Sequence, residues 1–460
     1  MWSTISIFVI ALICLANGQE NKEDKARYDN YRMYSVHLKT EEHVKVFQEI
    51  EARSDSYIFM GHARQANQNL SILAAAHKIA DLTDIMHQFN ISYKVLNYNF
   101  QANLDAEAVF VKPMNTSVND FDWRHYYHLE TIYAWLDHLC SKYSAIVKPV
   151  EIGKSYEGVP IRGVKLSHKE NNTAIFIEGG IHAREWISPA TATFILDELL
   201  ISDDKEVQDI AQNFDWIFFP VINPDGYKAT FEKDRMWRKT RQPFGICRGT
   251  DLNRNFDSAW NKTGSSPDPC AYDYAGPSMN SEPEAEQLSK YLKSIFKSQF
   301  VQTYISLHSF SQLLMFPNGY TSEKVDNYVD LKEIGAKTVE AIKKRYGTIY
   351  KSGSVYETIY PSAGSSHDFA HSVGIPITYT FELRGPPNST DWFILPAAQI
   401  EPVGWEILDG LVALLKEAKA RGYYDYGKIV ASQKGSASRI ENWSMASVAI
   451  TLIIAYFFAN

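Results

Sequence analysis

The sequence has little of several features that define common protein classes. Only four cysteines occur in 460 residues, too few for a fold built on disulfides. Lysine and arginine number 46 against 54 aspartate and glutamate, so the net charge is −8 and no basic excess is available to neutralise nucleic-acid phosphates. Short repeats and low-complexity tracts are missing. The 45% hydrophobic content excludes a mostly disordered chain, and the length indicates two or three domains.

The first residues are typical of a secretory signal. Ile5 to Ala16 is almost wholly apolar, and Ala16-Asn17-Gly18 has the small-x-small pattern of a cleavage site. Because the run is too short to cross a bilayer, we expect residues 1–18 to be a signal peptide and Gln19 to start the mature chain. No lysine or arginine precedes the run, so a buried N-terminal strand remains the alternative.

The last residues have the pattern of a glycolipid-anchor signal. Met445 to Ala459 is a 15-residue apolar run without charge, shorter than the roughly 20 residues of a spanning helix. A cluster of small residues, Gly435 to Ser438, precedes it. We therefore expect residues 425–444 to be a spacer with the anchor site and residues 445–460 to be the hydrophobic signal. Secretion without an anchor, or a terminal core helix, is the alternative.

Two further features agree with secretion. Asn-x-Ser/Thr sequons, the acceptors of N-glycosylation, start at Asn69, Asn90, Asn115, Asn171, Asn261, Asn388 and Asn442. Cys247 and Cys270 enclose a loop-rich stretch, and we expect them to pair in an oxidising compartment. Cys140 lies on an apolar helical face and is expected to be a buried free thiol.

The body of the chain divides into two patterns. Residues 28–100 read as β-α-β-α-β, which predicts a small α+β open sandwich within residues 19–114, with residues 101–120 as a connector. From about residue 120, apolar strands alternate with amphipathic helices, which predicts an α/β domain over residues 115–424 around a central sheet. The predicted strands of this domain are Ala174–Glu178, Trp216–Ile222, Thr303–Leu307 and Ile377–Phe381.

Potential metal ligands lie where two of these strands end. His182 and Glu185 follow the first strand in an H-x-x-E pattern, and His308 ends the third. Three protein ligands with a fourth position left open are the usual set for catalytic zinc. A single H-x-x-E pattern is weak, and His182 alone could be a polar loop histidine.

Several segments then resemble, in order, the pancreatic-type zinc carboxypeptidases of the A/B subfamily. They are Gly179–Pro189, Asn223–Tyr227, Met236–Arg241, Asp251–Phe256, Leu307–Leu313, Thr358–Pro361 and Thr380–Arg384. The resemblance implies a carboxypeptidase-like central mixed sheet flanked by helices. The preceding α+β module is similar to the family's inhibitory pro-segment.

The resemblance also implies a metal site and a base. One zinc ion per chain would be held by His182, Glu185 and His308. Glu382 matches the general base that acts on zinc-activated water. Its alternative is a structural salt bridge with Arg384.

The remaining matched positions would bind substrate. Arg238 matches the residue that stabilises the tetrahedral oxyanion, and Asn253 and Arg254 match the clamp on the terminal carboxylate. Tyr360 matches the mobile tyrosine that closes over the bound end, and Arg184 matches a secondary contact. Any one of these arginines taken alone would more often be a solvated surface residue. The Cys247–Cys270 pair agrees with the family's disulfide.

The chain departs from the family pattern in three places. The segment after Arg384 is about two residues longer than usual, and Lys112 precedes Pro113, so activation by trypsin is doubtful. The pocket-floor position holds His367, which, with the anchor signal, resembles carboxypeptidase O. The neighbouring pocket positions offer no carboxylate, so a preference for lysine or arginine is not expected.

We therefore expect a monomeric enzyme that acts on peptide or protein C-termini, does not bind nucleic acid and prefers acidic or polar last residues. A broad A-type enzyme for apolar ends, an inactive cell-surface homologue and a receptor ectodomain are the alternatives.

Overall fold

The computed structural model describes residues 25–53, 56–61, 63–170, 172–385 and 391–425. The predicted signal peptide and anchor signal lie outside these residues, as do the sequons at Asn171, Asn388 and Asn442. Among the described residues, none of the helices has the length and apolar content needed to span a bilayer.

The N-terminal unit is an antiparallel sheet with helices, as expected for an open sandwich, but the predicted β-α-β-α-β order lacked the strand Gln68–Ala74. Its strands are β1 (Arg32–Leu38), β2 (Tyr57–Met60), β3 (Gln68–Ala74) and β4 (Ser92–Asn97), in the order β2-β3-β1-β4. Its helices are α1 (Glu41–Arg53), α2 (Ile79–Gln88) and α3 (Phe100–Ala108). The expectation that residues 101–120 form only a connector is wrong, because Phe100 and Leu104 pack against Trp392 and Phe393 and so stabilise α3.

The second unit is built on an eight-stranded mixed sheet. Its strands are β5 (Val147–Lys154), β6 (Pro160–Leu166), β7 (Thr173–Glu178), β8 (Phe214–Phe219), β11 (Val301–His308), β12 (Leu313–Phe316), β13 (Lys351–Ser354) and β14 (Ile377–Glu382). The short hairpin β9 (Pro243–Phe244) and β10 (Cys247–Arg248) stands apart. The sheet order is β13-β12-β14-β11-β7-β8-β6-β5, and its four central strands are parallel.

Helices cover the sheet of this unit. They are α4 (Leu129–Lys142), α5 (Ile187–Ile201), α6 (Lys205–Asn213), α7 (Pro224–Glu232), α8 (Pro283–Ser298), α9 (Tyr328–Tyr346), α10 (Val355–Thr358), α11 (Ser366–Val373) and α12 (Ile400–Ala420). Successive side chains of β7 point to opposite faces of the sheet, and both faces are covered. Ile175 and Ile177 pack into one apolar cluster, whereas Ala174 and Phe176 pack into another. The predicted mixed central sheet flanked by helices is thus confirmed.

The cysteines behave nearly as expected. Cys247 and Cys270 form a disulfide that ties the β9–β10 hairpin to the following loop. Cys140 is free but only half-buried, not buried as expected, because it lies near the C-terminal end of α4 at the edge of the main apolar cluster.

Candidate active site

The predicted metal ligands meet at the carboxyl ends of the central strands. His182 and Glu185 lie in the loop between β7 and α5, and His308 is the last residue of β11. Gly180 allows the sharp turn into this loop, because its φ of +63° is a left-handed conformation that favours glycine. All three ligand side chains are buried, and their ligand atoms lie within 4.8 Å of one another.

The geometry of this triad fits a metal ion. The Nδ1 atoms of His182 and His308 are 3.0 Å apart, and the two oxygens of Glu185 lie 2.8 Å and 3.0 Å from them. Although burial acts to lower the pKa of His308, the charge and hydrogen bond of Glu185 raise it to about 9. Binding of a metal ion at His308 therefore competes with protonation of its imidazole. Two imidazoles and a carboxylate suit zinc.

Asp251 is a functional residue that the sequence reasoning missed. Its Oδ1 lies 3.0 Å from Nε2 of His182, so it orients the ring whose other nitrogen faces the metal site. Its Oδ2 accepts a hydrogen bond of 2.8 Å from Nη2 of Arg238. Burial acts to raise the pKa of Asp251, but Arg238 and Arg254 hold it well below its usual range. The available signal was its place in the matched segment Asp251–Phe256.

Of the two arginines expected near the scissile bond, Arg184 is buried and the side chain of Arg238 is only 11% exposed. Arg238 is fixed by Asp251 and lies 3.7 Å from Oε1 of Glu185. Arg184 stacks its guanidinium 4.0 Å from the centre of the Phe393 ring. Burial, together with the charge of Arg238, lowers the pKa of Arg184 to about 10. Neither arginine is a solvated surface residue.

The residues expected to clamp a terminal carboxylate lie together on the other side of the metal site. A 3₁₀ turn, Leu252–Arg254, carries Asn253 and Arg254. Nη2 of Arg254 donates to the hydroxyl of Tyr360 over 3.1 Å, and Nε donates to the carbonyl of Gly264. Oδ1 of Asn253 accepts from the backbone N–H of Ser366 over 2.9 Å. This arrangement positions a planar cation beside a tyrosine hydroxyl.

Glu382 ends β14 directly beside His308, its partner in the parallel register. Burial raises the pKa of Glu382 to about 8; His308 opposes the shift and Glu185 adds to it. The salt bridge with Arg384 that was its structural alternative is not formed, because Arg384 donates to both oxygens of Glu406, over 2.9 Å and 2.5 Å. The Glu382 carboxyl lines the cleft instead.

A cleft of about 510 Å³ brings these groups together. Its walls include all the predicted substrate-binding residues, namely Arg184, Arg238, Asn253, Arg254, Tyr360 and His367. The N-terminal unit contributes Gly61, Arg64 and Gln65 to the same walls. The cleft is thus shared between the two units.

His367 lies at the start of α11 and is only 3% exposed. Its Nε2 is 3.3 Å from Oδ1 of Asp368. Asp368, the next residue in the chain, was not among the pocket positions considered from the sequence, and it contacts His367 without lining the cleft itself.

Comparisons with known proteins agree with this site. Residues 132–409 match the zinc carboxypeptidase family, and residues 34–107 match the carboxypeptidase activation peptide. Zinc carboxypeptidase A 1 of Anopheles gambiae is 43% identical over 90% of this chain and 96% of its own. Carboxypeptidase O of Homo sapiens is 36% identical over 67% of this chain and 83% of its own.

A solved structure shows the same architecture. Carboxypeptidase A from Helicoverpa armigera superposes with a TM-score of 0.78 at 26% identity, covering 86% of this chain and 99% of its own. With a family match over more than half of its length and a buried triad able to hold the metal, this chain belongs to the zinc carboxypeptidases, which are exopeptidases that hydrolyse C-terminal peptide bonds, and it carries their activation-peptide domain.

Proposed function

We propose that this enzyme removes the last residue of peptides with Glu382 as its general base. The observation that carries the proposal is the position of Glu382, buried in the cleft and paired in register with the metal-site residue His308. Zinc bound by His182, Glu185 and His308 supplies Lewis acidity to the scissile carbonyl and to water. Glu382 accepts the proton of the attacking water and returns it to the leaving amine.

Arg238 and the clamp residues give the reaction its geometry. Arg238 donates to the oxyanion as it develops, and one such fixed donor is worth roughly 3 kcal/mol. Its contacts with Asp251 hold the guanidinium in place before substrate binds. Arg254, with Asn253 and Tyr360, grips the terminal carboxylate, which a planar guanidinium binds at two points. An internal peptide bond offers no such group, so cleavage occurs at chain ends.

The role of Glu382 is tested by Glu382→Gln, which keeps the shape but removes the base. We expect release of C-terminal residues to fall by about 10²–10⁴-fold while the zinc content stays at one ion per chain. Chelation of zinc should abolish release in the unaltered protein. Glu357→Gln is the matched control, because Glu357 lines the same cleft away from the strand end. Near-normal turnover in Glu382→Gln would refute this mechanism.

The last side chain of the substrate is proposed to be acidic or polar. His367 supports this preference, since it brings an imidazole to the cleft where an apolar side chain would suit apolar substrates. A broad A-type preference remains the alternative. Peptides that differ only in their last residue decide between the two.

Residues 19–114 are proposed to inhibit the catalytic domain at 115–424. Arg64 supports this role: its guanidinium lies 5.4 Å from the centre of the Tyr360 ring. Lys112 is followed by Pro113, so a protease other than trypsin would release the segment. N-terminal sequencing of the active enzyme tests the idea. A fully active product that still starts near Gln19 would refute inhibition.

We also propose entry into the secretory pathway and a glycolipid anchor at the outer face of the plasma membrane. The apolar run at Ile5–Ala16, the tail at 445–460 and the Cys247–Cys270 disulfide support this location. Phosphatidylinositol-specific phospholipase C should release the enzyme from cells. Retention on membranes after that treatment would count against the anchor.

A further inference from the structure

Two buried polar side chains in the cleft lack protein partners. His367 and Thr380 are each 3% exposed, and both line the cavity. Neither ring nitrogen of His367 nor Oγ1 of Thr380 makes a hydrogen bond to any described protein atom. Buried polar groups are almost always hydrogen-bonded, and these belong to the wall of a substrate cleft. Their partners are therefore expected to come from what the cleft binds.

The charges around these groups do not favour an anion. Asp368, itself buried, sits 3.3 Å from Nε2 of His367 and accepts the backbone N–H of Gly319 over 2.9 Å. A protonated His367 would thus already have a carboxylate partner. A substrate carboxylate placed beside His367 would lose its water close to the Asp368 carboxylate, and burying a charge next to a like charge is strongly unfavourable.

A second buried carboxyl lies close by in the sheet. Glu178, fully buried at the end of β7, is paired in register with Ser306 of β11, and Ser306 is paired with Thr380 of β14. Glu178 is thus a second acidic group close to Thr380, and burial raises its pKa.

We propose that this pocket selects uncharged C-terminal side chains that both donate and accept hydrogen bonds, above all the carboxamides of glutamine and asparagine. The inference rests on the proposed carboxypeptidase function and narrows its substrate class. An amide offers two donors and an acceptor to His367 and Thr380 and carries no charge to desolvate. An apolar side chain leaves these groups unpaired, which is the situation that pockets built for hydrogen bonding reject most strongly.

The test compares kcat/KM for peptides identical except for a last residue of Gln, Glu, Leu or Phe. The assay starts from the full chain. The chain is first treated by limited proteolysis until the rate at which it releases C-terminal residues no longer changes. We expect Gln to exceed Glu, Leu and Phe by about tenfold or more. Thr380→Val, which keeps the shape of the side chain, should lower the value for Gln and raise that for Leu, so that the ratio of the two falls.

A second variant separates charge from hydrogen bonding. Asp368→Asn removes the carboxylate beside His367 and should narrow the gap between Gln and Glu. The unaltered enzyme alone suffices to refute the proposal, which is overturned if Glu, Leu or Phe equals or exceeds Gln. No release from any of the peptides would instead refute the carboxypeptidase function, and this inference with it.

Discussion

Two arginines three residues apart in the sequence, the buried Arg235 and the largely shielded Arg238, are paired with carboxylates in different parts of the molecule. Arg238 binds Asp251, 13 residues later in the same unit. Arg235 binds Glu107 of α3, 128 residues earlier, through bonds of 2.6 Å and 2.8 Å. The first pair lies wholly within the catalytic unit, whereas the second joins that unit to the segment that matches the activation peptide.

The environments of the two carboxylates show what each pair does. Asp251 faces two arginines and His182, and these partners hold its pKa well below the usual range. Burial raises the pKa of Glu107, and Arg235 opposes the shift only in part. Arg235 is also held without Glu107, because its guanidinium lies 3.7 Å from the centre of the Trp186 ring and donates to two backbone carbonyls. One pair therefore lies at the metal site, and the other joins the activation-peptide segment to the catalytic unit.

The largest effect is expected from Asp251→Asn, which alters the pair of Asp251 and Arg238 within the catalytic unit. It weakens the hold on His182 and leaves Arg238 with only the more distant Glu185, 3.7 Å away, as a countercharge. Loss of such a partner of a metal ligand weakens metal affinity by about 10–100-fold, and we expect C-terminal residue release to fall at least as far. Competition with a zinc chelator measures the affinity.

The control is Asp257→Asn, an exposed position six residues later. Unchanged zinc affinity in Asp251→Asn would show that the pair of Asp251 and Arg238 does not support the metal site. A melting curve for each variant separates loss of metal from loss of fold.

A different effect, which falls on the contact between the two units and less on the activity of the enzyme, is expected from Glu107→Gln. Removing one partner of a buried ion pair costs about 3–5 kcal/mol, and here the loss falls on the contact between the two units. We expect faster hydrogen exchange in β1–β4 and higher activity of the uncut chain. Asp105→Asn, on an exposed face of the same helix, is the control. If the uncut chain gains no activity while exchange rises, the pair stabilises the unit without restraining the enzyme.

The central sheet could be predicted because its apolar strands are local signals, whereas the metal site also needed the resemblance to a known family. His182, Glu185 and His308 follow apolar strands, and parallel strands bring such ends to one edge. Asp251 and Glu107 could not be found from local sequence patterns, because each acts through a side chain that is distant in the sequence, His182 for Asp251 and Arg235 for Glu107. The helix α3 was missed for the same reason. It has few apolar residues, and these are buried only because they pack in one cluster with Trp392 and Phe393.

Glu284 is a third buried carboxyl, and no cation contributes to the shift of its pKa. It lies in the first turn of α8, and its Oε1 accepts the backbone N–H of Tyr156 over 3.2 Å, while Oε2 has no partner among the described protein atoms. Burial raises its pKa to about 8, and Asp225 and Glu282 add to the shift. The series Asp251, Glu107, Glu284 thus runs from strong pairing to none.

The smallest effect, and one that depends on pH, is expected from Glu284→Gln. A carboxyl whose folded-state pKa lies above its unfolded value of about 4.3 contributes fully below that value, and its contribution is lost as the pH rises to about 8. Each unit of raised pKa corresponds to about 1.4 kcal/mol, so the loss amounts to a few kcal/mol at most. Melting temperatures at pH 5 and pH 9 should therefore differ more for the unaltered protein than for Glu284→Gln, with the variant more stable at pH 9. The matched control is Glu286→Gln, two residues later in α8, whose side chain is 45% exposed and which should leave the dependence unchanged. Identical pH dependence in the unaltered protein and Glu284→Gln would mean that Glu284 ionises as freely as a solvated carboxylate, and burial alone would then not distinguish the three groups.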